Sequence, residues 1–231
     1  EERLLCSLIW KIRKNCLVSR IRPGGFFLKS IRNDKMETLR EYISFDLEFN
    51  KHQDKTHLIQ VSAVHFKEGE EVGAFDSYVY TDVPLKSFIN GLTGITSDTL
   101  KGAPKVEEVL QQFQDFVGNL PLIGYNAAKS DLPILLEHGF DYSHQYLVDV
   151  YNEALERRST DLHGIANLKL QTVASFLGFK GQSHNSLEDA RMTARVYEAF
   201  LESDESRLLL NSQSSLNSNP FGGLDLSQLF D

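Results

Sequence analysis

Cysteine is scarce in this 231-residue chain: the two present, Cys6 and Cys16, both lie near the amino terminus, away from every residue that carries chemistry below. That argues against a disulfide framework, thiol catalysis and redox control. Long apolar runs are also missing. Nothing approaches the ~18 consecutive apolar residues of a membrane-spanning helix, and Glu1-Glu2 makes a poor start for a secretory signal. The expectation is a soluble, cytoplasmic protein with no membrane partner. No internal repeat recurs. With 41% hydrophobic and 24% charged residues, the length suits one ordinary domain that buries a core without disulfides or structural metal, plus some spare chain.

Charge divides the chain. Residues 1–35 hold nine Lys/Arg against three Asp/Glu, whereas the whole chain carries −8, leaving −14 for the remainder. The basic stretch could form a short amphipathic helix, but Met36 opens a segment that runs straight into a strand. Residues 1–35 therefore read as an extension, one that need not be native, and residues 36–203 as the domain. Residues 204–231 are dense in Ser, Asn and Gln and read as a flexible polar tail. Its apolar tip, Leu224, Leu226, Leu229 and Phe230, has the form of a docking peptide.

Between those ends, Glu41 to Phe49 reads as a largely buried strand. His57 to Phe66 and Ala74 to Tyr80 alternate apolar and polar residues around a charged turn, completing an antiparallel meander. Val106, Val109, Leu110, Phe113, Phe116 and Val117 recur at helical spacing until Gly118-Asn119 stops them. A strand over 120–125, a helix over 132–138, a strand over 146–150 and helices near 170–177 and 187–202 follow. Strands first and then alternating β and α predict an α/β fold with a mixed sheet and helices packed on it.

Within the first strand, Asp46 and Glu48 stand two apart, so both carboxylates point to one face. Facing solvent, they would be an ordinary polar surface. Buried, two like charges need a compensating cation or a proton, and hard carboxylate oxygens suit Mg²⁺ or Mn²⁺. Asp131 follows a short buried strand where a helix begins; it reads either as the N-cap or as a ligand at the carboxyl end of a sheet. Glu188 and Asp189 open a later helix, where a carboxylate favours the positive end of the helix dipole. His184 stands just before that helix on a loop.

The ordered set FDLE (45–48), YNAAKSDL (125–132) and HNSLEDA (184–190) resembles the three motifs of the DEDDh 3′–5′ exonucleases, a family that includes the proofreading epsilon subunit of bacterial DNA polymerase III and ribonuclease T. The resemblance spans roughly residues 38 to 203, supported by GLTGITSDTL (91–100), the VDV strand around Asp149 and LKLQTVASFLGF (168–179). It implies a ribonuclease H-like sheet of five strands, an antiparallel meander followed by parallel strands. It also implies that Asp46, Glu48, Asp131 and Asp189 hold two divalent ions, Mg²⁺ or Mn²⁺, with His184 as general base and Leu47, Phe49 and Asn126 contacting substrate. Two such ions can activate water, polarise a phosphate and stabilise the leaving oxygen.

Three positions depart from the family pattern: Phe49-Asn50 where a small polar residue and Gly are usual, Tyr125 in place of His, and Ser130 in place of an aromatic. All five catalytic positions are kept, so the expectation is an active enzyme on single-stranded or frayed 3′ ends, acting on DNA in replication proofreading or repair. The acidic balance predicts weak, salt-sensitive, distributive action. Two alternatives stand beside it. One is a weakly catalytic nucleic-acid or clamp-binding module, since Gln228-Leu229-Phe230 faintly resembles a sliding-clamp peptide, through which clamp or polymerase would be the partner. The other is an oligoribonuclease-like enzyme on short RNA.

Overall fold

The computed structural model describes residues 39–181 and 185–217, with side chains as far as 212. The elements run β1 (Glu41–His52), β2 (Lys55–Lys67), β3 (Glu70–Tyr78), α1 (Ser87–Thr93), α2 (Ser97–Lys101), α3 (Val106–Val117) and β4 (Leu122–Gly124). They continue with α4 (Asp131–Glu137), β5 (Leu147–Asp149), α5 (Val150–Glu156), a 3₁₀ turn (Arg157–Ser159), α6 (Leu170–Phe176) and α7 (Ser186–Asn217). The five strands form one sheet in the order β3-β2-β1-β4-β5, antiparallel across β1–β2 and β2–β3, parallel across β1–β4 and β4–β5. This is the mixed five-stranded sheet that the sequence led us to expect.

Both hairpins turn on two residues of positive φ, Gln53 and Asp54 between β1 and β2, Glu68 and Gly69 between β2 and β3. That is the primed-turn geometry whose twist matches the flanking strands. Odd-numbered residues of β1, Ile43, Phe45 and Leu47, pack with α3 and α4 through Val109, Phe113 and Leu135. On the opposite face Tyr42 packs with α5, α6 and α7 through Ala154, Val173, Ala194 and Phe200. The ring of Tyr42 stacks on Phe66 and meets Tyr197 edge-on, and its hydroxyl donates to Glu198 at 2.6 Å.

Several elements differ from their sequence reading. β2 is buried without interruption from Leu58 to Val64 instead of alternating, because helices cover both faces of the sheet. Its polar members are satisfied across the hairpin: Gln60 and Ser62 both donate to Asp76 Oδ1, at 2.8 and 2.7 Å. α7 does not stop near residue 202, and the boundary drawn for a polar tail at 204 falls inside it. Arg157 explains the extension. Its guanidinium, 9% exposed, lies over the Phe200 ring and pairs with Glu153 at 2.6 Å and with Asp204. Arg207 pairs with Asp161 one turn on. The tail's apolar tip lies outside the described residues, as does the basic extension. Among the described residues no helix is long and apolar enough to cross a membrane.

Candidate active site

Asp46 and Glu48 occupy the even-numbered face of β1, and a bulge between Glu48 and Phe49 ends the regular alternation just beyond them. Two hydroxyls fix the first turns of α7 to this strand. Ser186 donates to the Asp46 carbonyl at 2.8 Å, and Ser44 donates to the Ala190 carbonyl at 2.8 Å. Asp189 is thereby held opposite the strand, and its Oδ1 accepts from Gln171 Nε2 of α6 at 3.0 Å. Neither serine was singled out by the sequence reading, because each acts through backbone contacts 140 and 146 residues away.

Asp131 arrives from the other side. β4 ends at Gly124, where an added Cβ would lie 2.6 Å from Ala127 Cβ, so the following turn needs glycine to fold back this closely. Asn126 then takes φ +57°, a left-handed conformation that asparagine tolerates better than most residues. Asp149 holds the turn: its carboxylate accepts from the backbone N–H of Asn126 at 2.7 Å and of Ala128 at 3.1 Å, and it caps α5 through Tyr151 N–H at 3.1 Å. The N-cap of α4 is Ser130, not Asp131, which is the first helical residue. Its carboxylate, 6% exposed, accepts from Leu47 N–H at 3.2 Å and from the Ser130 hydroxyl. Ser130, one of the three departures, thus tethers the carboxylate directly.

The four acids act on one another. Burial, then the charges of Asp131, Glu48 and Asp189, push Asp46 well above the usual carboxylate range. Burial and the charges of Asp189 and Asp131 push Glu48 up to about 7. Burial carries Asp131 to about 6 against the opposing hydrogen bonds from Ser130 and Leu47. Among the described residues no Lys or Arg forms an ion pair with Asp46, Glu48 or Asp131. Nor do any three His, Cys, Asp or Glu side chains converge into a ready-made cage for an ion. The donor set is nonetheless hard oxygen throughout, with the mutual carboxylate repulsion that a divalent cation relieves.

The remaining expected site residues divide. His184 lies outside the described residues. The Leu47 side chain, 4% exposed, belongs to the core, so its contribution is the backbone N–H to Asp131 and not a side-chain contact with substrate. Phe49 is half-buried beside the core, with the Lys51 ammonium 5.7 Å over its ring. Tyr125, replacing the usual His, donates to the Leu168 carbonyl at 2.6 Å, which turns it into a structural tie. Asn50 is fully buried: its amide donates to Pro84 O at 3.1 Å and accepts from Lys86 N at 3.4 Å.

A sequence model described as exonuclease, of RNase T type, matches residues 43–197. The PolC-type DNA polymerase III of Clostridium perfringens is 29% identical over 193 residues, which are 82% of this chain and 13% of that polymerase. The epsilon subunit of DNA polymerase III from Aquifex aeolicus is 28% identical over 163 residues, 70% of this chain and 77% of the subunit. Among solved structures, the nuclease domain of 3′hExo, a DEDDh family member bound to rAMP, superposes with a TM-score of 0.61 at 19% identity. It covers 72% of this chain and 94% of its own.

Proposed function

The chain belongs to the RNase T exonuclease family, and from that premise we propose that it is a 3′–5′ exonuclease that releases nucleoside monophosphates from single-stranded or frayed 3′ ends of DNA, in replication proofreading or repair. One observation carries the reading: the carboxylates of β1, α4 and α7 act on one another across β1, and their charges together with burial raise the proton affinity of Asp46 and Glu48. Asp46, Glu48, Asp131 and Asp189 would hold two divalent cations, Mg²⁺ or Mn²⁺, whose chemistry when bound is to activate water and neutralise charge on the scissile phosphate.

The chain's own groups do the rest. His184, two residues ahead of α7, takes a proton from the attacking water, a task suited to imidazole near neutral pH. The water oxygen bonds to phosphorus while the bond to the 3′ oxygen of the penultimate nucleotide breaks. A 5′-monophosphate leaves, and the 3′ oxygen of the shortened strand takes a proton from solvent to become a 3′-hydroxyl, while His184 returns its own to solvent. Phe49 and the Asn126 turn flank the acids and grip the terminal nucleotide, by stacking and by polar contact. Ser130 and Leu47 N–H hold the Asp131 oxygens in place so that little reorganisation accompanies binding.

The similarity to replicative polymerases favours DNA, a cytoplasmic location and a polymerase or sliding clamp as partner, with Gln228-Leu229-Phe230 the candidate docking peptide. The test uses 3′- and 5′-labelled single-stranded DNA and RNA with Mg²⁺, Mn²⁺ or EDTA, comparing wild type with Asp46→Ala and His184→Ala. Loss of nucleotides from the 3′ end of DNA, dependent on metal and abolished by either substitution, is expected. Faster turnover of very short RNA would move the function to an oligoribonuclease. Absence of cleavage by the folded wild type would leave a binding module. Deleting residues 220–231 without effect on clamp capture would remove the tail from recognition.

A further inference from the structure

β1 pairs with β4 only at Ile43 and Ser44, yet it continues to His52, and beyond the bulge its last residues pair with β2 alone. The β1–β2 hairpin therefore overruns the carboxyl edge of the sheet where the four acids gather. Its tip is firmly built, a two-residue turn with Gln53 at φ +47° and Asp54 at φ +61°. The buried Asn50 amide bonds to Pro84 O and Lys86 N, so the hairpin and the 84–86 segment keep a fixed separation. Between them lies an open cavity of about 470 Å³ lined by Lys51, His52, Gln53, Asp54, Thr56 and Lys86.

The charge of this cavity runs against the rest of the domain. Lys51 and Lys86 take part in no ion pair among the described residues, although carboxylates are in excess almost everywhere else. Asp54 is the only carboxylate in the lining. Two lysines, an imidazole, an amide and a hydroxyl form a wall of hydrogen-bond donors, which suits a phosphodiester and offers little to an apolar ligand. At ~3.3 Å per residue, Lys51 stands about 10 Å along β1 from Glu48, within reach of phosphates a short way upstream of a bound 3′ end. Phe49 lies between, with Lys51 over its ring.

We infer that this hairpin groove is a second binding site, taking the sugar–phosphate backbone of single-stranded nucleic acid upstream of the nucleotide being removed, with Lys51 and Lys86 as its phosphate contacts. The inference rests on the exonuclease reading for its direction and on the groove for its chemistry.

The experiment measures binding and turnover separately in the full chain. Anisotropy of a 5′-labelled strand of about twelve nucleotides in EDTA, across a salt series, compares wild type with Lys51→Glu/Lys86→Glu and with the neutral Lys51→Gln/Lys86→Gln. The basic amino-terminal residues are common to all three proteins and cancel in the ratio. Two lost phosphate contacts predict about tenfold or weaker binding and a log–log salt slope shallower by about 1.4, at ~0.7 per contact. With Mg²⁺, hydrolysis of a dinucleotide, too short to reach the groove, stays unchanged. Unaltered affinity and slope, or an equal loss on the dinucleotide, would overturn the inference. Lysine-dependent binding by a wild type that cleaves nothing keeps the groove and removes the exonuclease. Cleavage and binding indifferent to the lysines do the reverse.

Discussion

Replacing Glu48 by glutamine makes the metal-free protein more stable at neutral to alkaline pH, while abolishing hydrolysis. The Glu48 carboxyl moves from its ordinary 4.5 to about 7 in the folded protein, chiefly through burial and then through Asp189 and Asp131. At ~1.36 kcal/mol per unit of pKa, this corresponds to about 3 kcal/mol of native stability lost once the group is ionised. The group is partly exposed, so screening by water brings the expected gain of Glu48→Gln to about 1–3 kcal/mol. The sign follows from linkage. A folded pKa above the unfolded one contributes stability below pH ~4.5 and loses it as pH rises through about 7. In EDTA the variant therefore melts higher than wild type at about pH 8, by roughly 3–10 °C for a domain of this size, and level with it at about pH 4.5. Divalent cation inverts the order, because at ~100-fold excess over its dissociation constant it adds about 2.7 kcal/mol to a protein that binds it when folded. Wild type gains that and the variant gains less. Equal or lower melting of Glu48→Gln in EDTA at about pH 8 would refute the claim that uncompensated carboxylate charge strains the site.

Three further outcomes test the scaffold. Asp149→Asn halves the acceptor capacity that holds three backbone N–H groups, so urea unfolding should show a loss of about 1–3 kcal/mol, with slower hydrolysis because the turn leading to Asp131 loosens. An unchanged midpoint would show that the turn holds itself. Arg157→Ala leaves Glu153 without its cation and Asp204 with Arg207 alone, and costs about 3–5 kcal/mol, read by calorimetry. Gln53→Asn with Asp54→Gly relieves side chains held at positive φ and should stabilise by about 1 kcal/mol; a lower melting temperature would contradict the primed-turn assignment.

The carboxylates of β1 were legible because a period-two strand leaves no choice of face: with Phe45 and Leu47 turned inward, Asp46 and Glu48 share the other side. α3 was legible to the residue, since its apolar spacing stops at Gly118, which takes φ +54° and returns its N–H to Gln114 O at 2.9 Å. What escaped depends on distant partners. α5 was missed, the strand being read through Val150 and nothing assigned beyond it, because Asp149 both closes β5 and caps the helix with no loop between them. The continuation of α7 past residue 202 has no helical apolar spacing, its Leu208, Leu209 and Leu210 being consecutive and exposed; Ser203 donates to Asp161, and Arg207 pairs with the same carboxylate. α1 and α2 are too short for periodicity and are held by Ile89, Ile95 and Leu100 gathering on Ile59 of β2.

The same distinction explains why Asp131 was read two ways. A carboxylate just before a helix is ordinarily a cap, but here Ser130 holds the N-cap position without a capping hydrogen bond and Asp131 is the first helical residue, its carboxylate turned to other partners. That carboxylate is aimed by Leu47 N–H, a donor on the very strand that carries Asp46 and Glu48. One backbone amide thus couples the position of the α4 acid to the β1 pair, while Ser44 and Ser186 couple the α7 acid to the same strand. β1 is therefore the common frame of the site. A change that shifts its register by one residue would turn both its acids into the core and withdraw the anchors of the other two together.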